Sequence, residues 1–278
     1  MTTYGFQTQI ADFADQRYAD RSSRNVLDIY MPKGVSSPPL VLWIHAGAFK
    51  FGDKAEPRGL DELLKAGFAV ASMNYRYSSE AIWPAQLDDI KSAVLYLRRE
   101  AVRRGYDGNR MATFGASAGG HLSAVAGIAL AGDASTKLQA SVVWFAPVDF
   151  PTMDEDIEST GVKRVTGRKG AADSPESQLV GAPVYEKPDI ARNASPLTYL
   201  AALPEGVKPP PFLIMHGAVD AYIGRGQSER LHNAITDRYG TASAQYRLLP
   251  NGGHGDGDFK RPESMAAVVA FLSKSLGL

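Results

Sequence analysis

Residues 115–119 read Gly-Ala-Ser-Ala-Gly, a serine with a glycine two positions to either side. This is the G-x-S-x-G pattern of a nucleophile elbow, a sharp turn that lifts a serine hydroxyl above a sheet. Its context is the one that gives it meaning. The apolar run Arg110–Phe114 precedes it as a strand, and Ala118–Leu130 follows as a helix. A serine at a helix N-terminus faces the positive end of the helix dipole, which favours a developing anion. The chemistry is acyl transfer, with Ser117 attacking a carbonyl carbon.

A serine hydroxyl needs a base to take its proton. The chain offers His45, His121, His216, His232 and His254. His232 falls mid-helix as a surface or packing residue, His121 in the elbow helix as a structural hydrogen-bonding group, and His216 at a strand end with backbone contacts. His254 stands in "LLPNGGHGDGDF", a glycine-rich loop after the last strand, where an imidazole can reach over the sheet; it is the best base. The acid that orients it is Asp220, in "MHGAVDAYI", with Asp149, after "VVWFAPVD", as its rival; Asp256 is too near His254 in sequence to bond its Nδ1 well. The order Ser, Asp, His fits this elbow type. The oxyanion needs preorganised N–H donors. Ala118 supplies one, and the loop "HAGAF" after the strand "VLWI" is the place for others. Its small residues keep the backbone open to close approach, whereas an ordinary turn would use Asn, Asp or Pro.

The elements that must position these residues alternate. Strands are expected at 40–45, 68–74, 110–114, 140–146, 211–216 and 244–249, with two short ones around Arg17–Tyr18 and Val26–Met31. Helices are expected at Leu60–Ala66, from Pro84 through Arg98 with the proline at the first helical position, and at Ala118–Leu130, Gln227–Tyr239 and Pro262–Leu276. Strands alternating with crossover helices imply an α/β fold, a mostly parallel sheet covered on both faces, with sites at the carboxyl ends of its strands. One domain spanning 1–278 is expected. Residues 149–197, rich in Pro, Gly and charge, break the rhythm and read as a lid-like insertion.

Composition closes other routes. Lys plus Arg and Asp plus Glu both number 30, so no basic excess exists to meet a nucleic-acid backbone or an anionic membrane surface. Without cysteine there is no disulfide, thiolate metal site or cysteine nucleophile. The first twenty residues lack a basic start and an apolar core, so a cytoplasmic location is expected. No apolar run approaches the roughly 20 residues of a membrane span.

Taken together, "WIHAGAFKFGDK", "FGASAGGHLSAVAG", "DSPESQLVGAP", "NASPLTYL", "PPFLIMHGAVDAYIGRGQSERL" and "LLPNGGHG" resemble the α/β-hydrolase carboxylesterases with an HGGG-type oxyanion loop, the hormone-sensitive-lipase-like group. The resemblance is closest to its branch of bifunctional acetylxylan and feruloyl esterases. It implies the α/β-hydrolase fold, a serine esterase acting on small acyl esters without metal or organic cofactor, and acetylated sugars, xylo-oligosaccharides or hydroxycinnamate esters as substrates. It matches Ser117, Asp220 and His254 to the triad and Gly47, Ala48 and Ala118 to the oxyanion donors. Ala46 departs from it, standing where the group has glycine, and alanine resists positive φ. Phe49 and Phe150, with Trp83 and Trp144 nearby, are candidates for the substrate pocket, each with core packing as its competing role. Two further readings are an arylformamidase-like amidase or peptidase of the same fold, and a binding protein on a hydrolase scaffold.

Overall fold

The computed structural model describes residues 9–55 and 57–278; the segment read for a leader lies partly outside the described residues. Its centre is Pro39–Ile44 (β3), six residues that are all buried. A strand covered on both faces can be apolar throughout. Leu40, Leu42 and Ile44 enter one layer of the core, with Ile90, Val94 and Leu97. Val41 and Trp43 enter the other, with Leu63, Val268 and Leu272. Fully burying each such side chain contributes about 1.5–3 kcal/mol.

Around it the described residues build an eight-stranded sheet in the order β1-β2-β4-β3-β5-β6-β7-β8. The other strands are Phe13–Arg17 (β1), Val26–Tyr30 (β2), Ala69–Met73 (β4), Asp107–Ala116 (β5), Ala140–Trp144 (β6), Phe212–Gly217 (β7) and Ala244–Leu249 (β8). Strand β2 runs antiparallel to both β1 and β4, and every other pair is parallel. The layer holding Ile90 comes from Ala85–Arg104 (α2) and Ala118–Ala129 (α3); the opposite layer comes from Leu60–Lys65 (α1) and Pro262–Leu276 (α9). Gly226–Tyr239 (α8) covers the β7–β8 end.

From β3 the chain passes through α1 to β4 on one side, then crosses through α2 to β5 on the other. The strand order therefore reverses between β3 and β5, the crevice where α/β sheets place ligands. The loops bearing His45–Ala48 and Ser117 leave the carboxyl ends of these two strands, where Ile44, the last residue of β3, pairs with Gly115, the last but one of β5.

Two expectations need correction. Pro84 caps α2 from outside at φ −97° rather than occupying its first turn, and the helix continues to Arg104. The stretch 149–197 is not without regular structure: it folds as a 3-10 turn at Phe150–Thr152, then Met153–Ser159 (α4), Pro175–Val180 (α5) and Pro188–Arg192 (α6), followed by Pro196–Ala202 (α7). Prolines open the last three, where their fixed φ suits a first turn. Ser174 and Ser195 accept hydrogen bonds from Ser177 N–H and Leu197 N–H as N-caps. Among the described residues no helix is long and apolar enough to cross a membrane.

Candidate active site

Ser117 joins β5 to α3 with φ 54° and ψ −121°. A non-glycine residue there costs of order 1–3 kcal/mol and persists only when its surroundings enforce it. Ser117 N–H donates to Trp144 O at 2.9 Å, and Ser117 O accepts from His121 N–H at 2.9 Å. A Cβ on Gly119 would lie 2.0 Å from Ile44 O, and one on Gly115 would lie 2.0 Å from Gly119 O. The flanking glycines thus let α3 pack against β3, which holds the serine at the crevice.

His254 Nε2 lies 2.9 Å from Ser117 Oγ, and His254 Nδ1 lies 2.8 Å from Asp220 Oδ2. A carboxylate only accepts, so Nδ1 carries the proton, and the neutral ring presents Nε2 as an acceptor to the serine hydroxyl. The imidazole packs against the rings of Phe145 at 4.6 Å and Tyr222 at 5.0 Å. Arg58 fixes its loop by donating to Gly255 O at 3.2 Å.

Asp220 is nearly fully buried, 2% exposed. Its Oδ1 accepts from Tyr222 N–H at 2.8 Å and Ile223 N–H at 3.0 Å, so one oxygen orders the turn while the other faces His254. Burial alone would raise this carboxyl, but the imidazole N–H groups of His216 and His254 directed at it hold it well below the usual carboxylate range. The rival, Asp149, is elsewhere: its N–H meets Gln227 Oε1 at 2.7 Å, and burial raises its carboxyl.

His216 does more than the backbone contact expected of it. Its Nε2–H donates to Ile223 O at 2.9 Å, and Nε2 lies 3.5 Å from Asp220 Oδ2; Nδ1 accepts from Ser228 Oγ at 2.7 Å. A polar residue closing an otherwise apolar strand, four positions before an aspartate, was the available signal.

In the loop after β3, Gly47 has φ 129°, and a Cβ there would lie 1.8 Å from Phe51 O. Ala48 and Phe49 also have positive φ, at 51° and 60°, whereas Ala46 does not. Alanine at 46 therefore imposes no φ penalty; the strain sits at the next positions. His45 braces the loop. Its ring stacks on Tyr75 at 4.3 Å, its Nδ1–H donates to Ala46 O at 2.7 Å, and its carbonyl accepts from Tyr75 OH at 3.1 Å. Arg24 adds a bond to Gly52 O at 3.1 Å.

Gly47, Ala48, Ser117, Ala118 and His254 all line one cavity of about 790 Å³. Its far wall is built by residues 166–169 and 173–176, and its mouth carries Tyr222 and Asp256. Phe49 borders this space with its ring 1% exposed. Phe150 does not line it, which corrects the expectation of a substrate contact there. Its ring is 2% exposed and stacks on His121 at 5.1 Å, behind Phe49. Trp144 is likewise fully buried, its Nε1 directed at Met215 Sδ, and Trp83 Nε1 bonds Asn193 O at 2.9 Å. Of the two acidic residues after His254, Asp256 reaches the mouth, whereas Asp258 turns inward and accepts from Asn251 N–H at 2.8 Å. Among the described residues no group of three His, Cys, Asp or Glu is placed to hold a metal ion.

Burial holds the His45 and His121 imidazoles down at about 4, against the opposing hydrogen bonds to Ala46 O and Pro147 O. Both are neutral in the fold, while in the unfolded chain they take up protons near about 6.5. Between those values the unfolded chain binds more protons, so stability falls as pH falls, by up to a few kcal/mol per histidine. The unfolding free energy of the native chain, measured against that of His121→Met, is expected to drop faster between pH 6.5 and 4. A difference independent of pH counts against this account.

Comparison with known proteins places these features in a group. The BD-FAE family model matches residues 27–235. Two esterases of Mycobacterium tuberculosis are similar: LipQ, 26% identical over 88% of this chain and 57% of its own length, and LipC, 28% identical over 90% and 62%. The chain thus spans about six tenths of the length of these curated relatives. A solved structure of a truncated carbohydrate esterase from gut microbiota superposes with a TM-score of 0.82 at 31% identity, covering 98% of both chains.

Proposed function

The chain belongs to the BD-FAE family of α/β-hydrolase esterases, and on that premise we propose that it is a serine carboxylic-ester hydrolase acting on small acyl esters of sugars. The observation that carries this reading is the hydrogen-bonded line Ser117–His254–Asp220, opening on the same cavity as the Gly47, Ala48 and Ala118 backbone.

In the proposed reaction Ser117 Oγ bonds to the ester carbonyl carbon as His254 Nε2 takes its proton. The carbonyl oxygen becomes an oxyanion facing the Gly47, Ala48 and Ala118 N–H groups. Ala118 N–H belongs to the first turn of α3, where no intrahelical acceptor exists. Collapse breaks the bond to the alcohol, which leaves with the proton from His254. Water, deprotonated by the same nitrogen, then releases the acid and regenerates Ser117. Asp220, held ionised, keeps the imidazole aligned and stabilises its charged form.

The similarity to a carbohydrate esterase supports an acylated sugar, acetylated xylo-oligosaccharides foremost. A second reading, hydroxycinnamate esters, is favoured by the exposed rings of Phe51 (63%) and Tyr222 (46%) on the cavity wall, a platform for a flat phenolic group. A panel of acetylated xylobiose, methyl ferulate and longer-chain 4-nitrophenyl esters separates them. The expected result is the highest kcat/KM for the acetylated sugar. A preference of tenfold or more for methyl ferulate would exchange the two readings, and hydrolysis of none of the esters would remove both.

A further inference from the structure

The far wall of the cavity contains an arrangement the acyl-transfer machinery does not use. Glu176 and Lys169 both line the cavity yet are only 4% and 8% exposed. Lys169 Nζ stands 4.0 Å from Glu176 Oε1, beyond hydrogen-bonding distance, and Glu176 Oε2 has no partner among the described residues. Thr166 Oγ1, on the same wall, is also buried without a partner. Leaving such groups unpaired away from water costs about 1–3 kcal/mol each, more if charged. A purely structural wall would have no reason to carry two of them beside a lysine whose ammonium stops short of a hydrogen bond to Glu176.

The segment bearing them is tied down from behind. The Asp154 carboxylate accepts from Lys169 N–H at 2.9 Å and Gly170 N–H at 3.3 Å, and also from Arg164 and the Tyr185 hydroxyl. The unmet groups are thus presented at fixed positions. Burial pushes the Glu176 carboxyl up, against the charge of Lys169. In either protonation state Oε2 retains unused capacity, accepting when ionised and donating when protonated. An aliphatic hydroxyl, which both donates and accepts, suits either state, and an ammonium beside it donates to a second hydroxyl oxygen.

We infer that Glu176, Lys169 and Thr166 form a hydroxyl-binding subsite that reads adjacent hydroxyls on the alcohol side of the ester. This rests on the esterase reading above and sharpens its substrate class to esters of polyhydroxylated alcohols. An acetyl group has no hydroxyl to offer. A feruloyl group brings one phenol on a rigid ring, which cannot span three polar groups.

The test is a ratio of kcat/KM values for two acetates that differ only in the alcohol, acetylated xylobiose and 4-nitrophenyl acetate. Glu176→Met is expected to lower the ratio of sugar to nitrophenyl ester at least about tenfold, the effect of one lost substrate hydrogen bond in a dry site. Glu176→Gln, which keeps a donor and an acceptor, is expected to restore part of it. Lys169→Met should lower it in the same direction, which secures a reading if Glu176→Met does not fold. Free xylobiose, as a competitive inhibitor of nitrophenyl acetate hydrolysis, should weaken in parallel. An unchanged ratio in the folded variants overturns the inference, as does a selective loss of methyl ferulate hydrolysis. Either result would leave the esterase reading standing, since that reading fails only if the unaltered protein hydrolyses no ester.

Discussion

Replacing Ser117 by alanine is expected to lower kcat on 4-nitrophenyl acetate by about 10⁴- to 10⁶-fold. The substitution removes one oxygen and leaves the surroundings intact. Alanine meets the same φ of 54° as serine, so the elbow gains no new strain. His254 keeps its bond to Asp220, and the Ala118 N–H remains at the head of α3. What disappears is the atom that would bond to carbon, together with any acyl-enzyme. Residual turnover above the uncatalysed rate would report the oxyanion donors and binding alone. Because the three side chains act as one unit, adding His254→Ala should cost little more. A fluorophosphonate probe should label the native serine and not the variant. A loss below tenfold, or labelling that persists in the variant, would place the nucleophile elsewhere, whereas failure of the probe to label the native protein would bring forward the reading of a binding protein on a hydrolase scaffold.

Asp220→Asn should cost almost as much, about 10⁴-fold in kcat, and here the structure dictates which way the new amide must face. The Oδ1 position accepts two backbone N–H groups, from Tyr222 and Ile223, and only an oxygen can occupy it. The amide nitrogen is therefore forced into the Oδ2 position, opposite His254 Nδ1 and beside His216 Nε2. Donor would then face donor. His254 escapes by moving its proton to Nε2, the tautomer that cannot accept from Ser117. His216 has no equivalent escape without giving up its bond to Ile223 O. The variant should thus combine the loss of kcat with a lower melting temperature. A measured loss of less than tenfold would mean that Asp220 does not control the imidazole.

The fold class and the family were legible because the signals were local. The uninterrupted run Leu40–Ile44 marked a strand buried on both faces, and the glycines of the elbow marked a helix packed close against it. Serine, histidine and aspartate could be named because each follows a strand, and the fold brings Ser117, His254 and Asp220 within hydrogen-bonding reach. The helices between 149 and 202 were not legible, for a physical reason. Asp154 and Asp156 are buried in α4, where a reader of amphipathic pattern expects apolar residues. Asp156 is paired with Arg230, 74 residues away, and also bonds Gln227, so its burial depends on partners invisible from its own neighbourhood. Phe150 failed similarly: nothing in its type or position reveals that Phe49 stands between it and the cavity. Ala46 posed the reverse problem. Its departure from the family pattern suggested a distorted loop, but φ is set by how the loop folds onto Phe51 and Tyr75, and the positive values fell at Gly47, Ala48 and Phe49 instead.

The hydrogen-bonded line Ser117–His254–Asp220 and the far wall come from different parts of the chain. Serine, histidine, aspartate and the donor loop all hang from strand ends, while the wall is one stretch between β6 and β7, held in part by the Asp154 carboxylate. That division is modular. Drift or deliberate exchange within 163–176, with Asp154 and its partners kept, alters what the cavity admits without touching how a bond is cut. Under the proposed esterase reading, one scaffold would in this way serve a succession of esters through revisions confined to about eleven positions, the fourteen of this stretch less Arg164, Lys169 and Gly170.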